Sequence, residues 1–109
     1  MEEIRIKELI RKKLKRKAKK TYVVLNYHFK KISGGEEFVD LLMENPKEFY
    51  RVFRQVFKSS EEVTDYLLSI ILGILQPSYN NVYLKSIVNG IKRGDKELIN
   101  RFLLFSDSK

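Results

Sequence analysis

The chain has 109 residues, 43% of them apolar, with seven Phe and six Tyr but no Cys and no Trp. That suffices for one folded domain with a single core, and the absence of cysteine excludes a disulfide framework, a thiolate metal site and a cysteine nucleophile. The formal net charge of +8 is concentrated at one end. Residues 1–32 hold twelve Lys/Arg against three Glu, whereas residues 33–109 hold ten against eleven Asp/Glu.

A positive pole on a near-neutral body is the pattern of a polyanion-binding surface, since a merely solubilising face mixes both signs. The opening Met1-Glu2-Glu3 leads into no apolar run, so no secretory or transit peptide is expected and the reading is cytoplasmic. Abundant Ile, Lys and Glu with only two Gln suits a thermophile.

From the N-terminus, Ile6, Ile10, Leu14, Ala18, Tyr22, Leu25, Phe29 and Ile32 follow one another at steps of three or four, one face of a long helix. A bend is expected near Lys20. The β-branched and aromatic run Thr21–Phe29 also fits a strand, although helix is favoured. Ser33-Gly34-Gly35-Glu36 ends this element and has capping-box spacing for a short helix with Phe38, Leu41 and Leu42 inward. Asn45-Pro46-Lys47-Glu48 is a strong helix start, and the helix 46–58 is expected to bury Phe49, Tyr50, Phe53, Val56 and Phe57.

Ser59-Ser60-Glu61-Glu62 caps the next helix, whose stretch Val63–Leu75 is apolar on nearly every side. It is too short to span a bilayer and is therefore expected at the centre of the core, wrapped by the other helices. Gly73 within it implies a close neighbour. After Gln76-Pro77-Ser78, a helix carries Val82 or Tyr83, Leu84, Ile87, Val88 and Ile91. Gly94-Asp95 turns the corner into a last helix with Leu98, Ile99, Phe102 and Leu103 inward, and Ser106–Lys109 is expected to fray. The fold class is all-α: a compact bundle of five to seven helices. Residues 1–32 form a basic helical arm of the same domain, and 33–109 the helical core.

Few residues suit catalysis. His28 is the lone histidine and has no second His or Cys to share a metal. The acids Glu36, Glu37, Asp40, Glu44 and Glu61, Glu62, Asp65 open helices, where the macrodipole favours them. No phosphate loop or nucleophile motif occurs, so no enzyme, cofactor or metal is expected.

The run Arg11 to Lys20 places eight cations in ten residues: Arg11, Lys12, Lys13, Lys15, Arg16, Lys17, Lys19 and Lys20. Mutual repulsion disfavours an isolated helix of this kind and phosphates would relieve it, so binding and helix formation are expected to be coupled. Lys47, Arg51, Arg54 and Lys58 form a second basic line, with Arg51 and Arg54 as auxiliaries. Lys92, Arg93, Lys96 and Arg101 around the Gly94 corner make only a weak helix-turn-helix signal. An interfacial membrane helix ranks below these, because residues 11–20 lack a wide apolar face.

The pattern Phe38-x-x-Leu41-Leu42-x-x-Asn45-Pro46-x-x-Phe49, then Phe53, Phe57, Glu61-Glu62 and Tyr66-Leu67-Leu68, resembles small archaeal helical domains of the Nitrosopumilus output type. Those carry a glycine where Lys58 stands here. The resemblance covers about residues 36–75, implies an archaeal all-helical fold and transfers no site.

The expectation is a non-enzymatic accessory or architectural protein that binds nucleic acid through phosphate contacts, largely without sequence preference. Duplex DNA is the expected partner, with RNA open. The competing expectation is an interaction module whose arm docks on an acidic or helical partner or builds a homodimer.

Overall fold

The first helix, α1 (Glu2–Ser33), is long enough that its path decides the shape of the molecule. Straight, it would measure about 48 Å at 1.5 Å per residue, yet the longest dimension of the chain is 34 Å. It breaks at Ala18, whose φ of −148° and ψ of 53° are not helical. Neither proline nor glycine causes this. The apolar steps from Ile6 to Tyr22 are all four residues, and each rotates the stripe by about 40° around a helix of 3.6 residues per turn. By Tyr22 the drift is roughly 160°, so one straight helix would turn half its stripe away from the core. The break resets the phase. Ile6, Ile10 and Leu14 before it and Tyr22, Leu25 and Phe29 after it are all buried.

The structure is a computed structural model that describes Glu2–Asp107, with side chains from residue 4 to 104. Five further helices follow: α2 (Phe38–Glu44), α3 (Pro46–Phe57), α4 (Glu61–Leu75), α5 (Asn81–Arg93) and α6 (Lys96–Asp107), with no strand among the described residues. Six helices fall within the expected five to seven, and Thr21–Phe29 is helical. α6 continues through Ser106 and Asp107; the remainder of the tail expected to fray lies outside the described residues.

Local chemistry sets the starts. Asn45 accepts from the Glu48 amide at 3.3 Å with Pro46 in the first turn, Ser60 accepts from the Val63 amide at 3.2 Å, and Asp95 from the Leu98 amide at 3.1 Å. The expected capping box at Ser33 is a correction. Ser33 Oγ does accept from the Glu36 amide, but α2 begins at Phe38, whose amide donates to Asn26 Oδ1 of α1 at 2.9 Å. The cap comes from another helix, so spacing could not reveal it.

Phe29 is the hub of the core. It is fully buried, with ring centroids of Phe38, Phe49 and Phe53 at 4.9, 5.2 and 6.4 Å. Phe57, expected inward, is instead 39% exposed, because α3 ends there and the chain turns away through Lys58. Lys58 has φ 48° and ψ 45°, the left-handed conformation that a helix C-terminus reserves for glycine. A side chain there costs about 1 kcal/mol. Lys58→Gly is therefore expected to raise the melting temperature by a few degrees in thermal unfolding. An unchanged or lower value would contradict this account of the turn.

A polar network ties α3, α4 and α5. Tyr50 donates to Asp65 Oδ1 at 2.6 Å, and Lys92 meets Asp65 Oδ2 at 2.9 Å, pairs with Glu61 and lies over the Tyr50 ring. Burial first, then the Asp65 carboxylate, push the Tyr50 phenol above its ordinary value. Hydrogen bonding to Glu61 leads the upward shift at Lys92, with Asp65 adding to it. Both groups hold their protons more tightly folded than unfolded. Their stabilisation is thus complete below the ordinary value of about 10 and is lost as pH rises past it. Melting temperature should stay level from neutral pH to about 9.5 and then fall, and Tyr50→Phe should make that fall shallower. A fall of unchanged slope would place the titration elsewhere.

Candidate nucleic-acid interface

The first half of α1 has four sides, and its surroundings sort the cations among them. At about 100° per residue, Ile6, Ile10 and Leu14 define the inward side. On one flank stand Lys7 and Arg11, facing α2. Arg11 Nη1 lies 2.7 Å from Glu8 and Nη2 2.9 Å from Asp40, with Nε 3.5 Å from Glu37. Lys7 pairs with Glu44 and lies 3.3 Å from Asp40, while Lys30 reaches Glu37 at 3.7 Å. Glu37 and Asp40 at the start of α2 are thus matched by cations of α1, and Glu44, expected to open a helix, is instead the last residue of α2 and pairs with Lys7.

On the other flank stand Lys13 and Lys17, facing the end of α4. Lys13 Nζ donates to the Leu75 carbonyl at 2.8 Å and Lys17 Nζ to the Ile74 carbonyl at 3.3 Å. α4 has no basic residue in its own last turn. Two cations from a distant helix therefore satisfy the negative end of its dipole.

The outward side before the break carries Lys12, Lys15 and Arg16, and Lys19 and Lys20 follow beyond the break, where the phase is reset. All five are exposed, and none of their side chains has an ion pair or hydrogen bond among the described residues. Lys20 also stands at an open groove of about 420 Å³ formed with Val24 and His28 of α1 and Val56 and Phe57 of α3. His28 packs edge-on to Tyr27 at 5.3 Å between ring centroids.

The expected arm is thus divided. Arg11, Lys13 and Lys17 make intramolecular contacts, and Lys12, Lys15, Arg16, Lys19 and Lys20 are each exposed. The arm does not project, because its apolar stripe is buried. Its helicity is supplied by tertiary packing, which removes the need for a partner to fold it. The auxiliary pair is less available than spacing implied. Arg51 is held by Glu48 and donates to Gln55 Oε1 at 3.1 Å, and Arg54 Nε donates to the Ser59 carbonyl at 3.1 Å. Lys92, one of the cations near the Gly94 corner, is held by Glu61 and Asp65.

No helix among the described residues is long and apolar enough to cross a membrane. No protein-family model matches the chain, and no curated protein and no solved structure shows significant similarity to it.

Proposed function

We propose that the protein binds nucleic acid through phosphate contacts made by Lys12, Lys15, Arg16, Lys19 and Lys20. The observation that carries this reading is that these five cations, within nine residues of α1, are exposed and that their side chains have no ion pair or hydrogen bond among the described residues. Cations held this way can exchange condensed counterions for phosphates without breaking any contact in the fold. Arg11, Lys13 and Lys17 serve the fold, and Arg51 and Arg54 have at most a secondary part. Of the two arginines in the run, the residues best suited to reading base edges, Arg11 is engaged with Glu8 and Asp40. Four lysines and Arg16 remain, which supports binding indifferent to sequence. Such a protein acts as an accessory or architectural component rather than an enzyme. The rival use of the arm as a docking helix has less support, because its Ile6, Ile10 and Leu14 seam is buried in its own domain.

Lysine acetylation followed by mass spectrometry tests the assignment. With excess duplex DNA, Lys12, Lys15, Lys19 and Lys20 should be protected, while Lys47, Lys58 and Lys96 should react as they do without it. Equal reactivity at all sites with and without DNA would refute it.

A further inference from the structure

The most apolar helix of the chain leaves one side uncovered. α4 turns Thr64, Leu68, Ile71, Leu72 and Leu75 into the core. On the opposite side it shows Val63, Tyr66 and Ile70, which are 48, 66 and 46% exposed. The expectation that neighbouring helices wrap α4 completely is thus corrected: within one chain it lies at the surface. The same side carries Gly73, where an added Cβ would make only ordinary contact, 3.5 Å from Leu84 Cδ1. Nothing in the chain's own packing demands glycine there, although glycine costs about 1 kcal/mol in a helix. Beside Gly73 opens a groove of about 530 Å³, bordered by Tyr66 and Ile70 of α4 and by Leu84 and Lys85 of α5.

We infer that this face joins two copies of the chain in a two-fold symmetric dimer, with α4 packed antiparallel against α4 of the second copy. Two features of the face are complementary to themselves under that symmetry. The first is shape. If the two-fold axis passes between Ser69 and Ile70, Tyr66 of each chain falls opposite Gly73 of the other. The most prominent ring of the stripe then enters the groove that the missing side chain leaves open. The second is charge. Glu62 shares this side at the start of α4 and Lys85 borders the groove from α5. Both are exposed, and neither has an ion pair among the described residues. Antiparallel pairing brings each Glu62 toward the other chain's Lys85, whereas parallel pairing would set like charge against like. An unrelated helical partner would have no reason to match both patterns; a second copy matches them by symmetry.

Sedimentation equilibrium on the full chain, from low micromolar to several hundred micromolar, tests this independently of nucleic acid. The mass should rise toward twice the 13.0 kDa of one chain. Ile70→Arg should weaken association by at least about tenfold. Glu62→Lys alone and Lys85→Glu alone should each weaken it several-fold, and the double variant should recover most of the loss. If Ile70→Arg disturbs folding by circular dichroism, the charge exchange at two exposed positions still decides. A single-chain mass at every concentration, or a dimer indifferent to these changes, would overturn the inference. So would single-variant losses that the double variant does not recover.

Discussion

Replacing Lys12, Lys15, Arg16, Lys19 and Lys20 together by glutamine is expected to lower affinity for duplex DNA by on the order of 10³–10⁴-fold at about 0.1 M salt. Each phosphate neutralised releases close to one condensed counterion, and five such contacts make the equilibrium steep in salt. The loss should come with little change in melting temperature, because none of the five makes a contact the fold needs. Relieving their mutual repulsion should even stabilise α1 slightly. Electrophoretic mobility shift at fixed salt, with thermal unfolding run in parallel, checks both halves. An affinity within a factor of three of the parent would mean that the outer side of α1 is not the site.

Phe29→Ala is expected to cost about 3–5 kcal/mol, a large part of the stability a domain of this size has. The fully buried Phe29 ring touches Phe38 of α2 and Phe49 and Phe53 of α3, so its removal leaves a cavity where three helices meet. Urea unfolding followed by helical circular dichroism measures this, and a loss below 1 kcal/mol would mean that the second half of α1 is not docked as described. The same geometry excludes deleting the arm as a test of binding. Without α1 the core loses Ile6, Ile10, Leu14, Tyr22, Leu25 and Phe29, so lost binding would report lost folding.

What the sequence made legible was mostly local. Apolar spacing identified six of the eight stripe positions of α1 as buried, Ala18 being the break itself and Ile32 only half-buried, and Asn45-Pro46 and Gly94-Asp95 marked boundaries through their own side chains and backbone freedom. The break at Ala18 was legible only as an approximate bend, although the repeated four-residue steps contain its cause. What failed was non-local. Lys13 and Lys17 donate to carbonyls more than 50 residues away, and Arg11 meets an acid on α2. A charge run cannot reveal which of its members a later helix will engage. α4 misled for a related reason: its apolar circumference did not reveal that Val63, Tyr66 and Ile70 face away from the other helices.

On the proposed reading, five solvent-facing cations on α1 bind phosphates. The most direct test is fluorescence anisotropy of labelled duplex DNA, duplex RNA and single strand across a salt series, comparing the parent chain with the five-glutamine variant. The parent should lose affinity for duplex DNA linearly in log–log form with a slope of about −4 to −5, regardless of base sequence. That slope amounts to roughly 500-fold between 50 and 200 mM salt, and the variant's slope should be close to zero. Equal slopes for parent and variant, or no binding by the parent at low salt, would contradict the account.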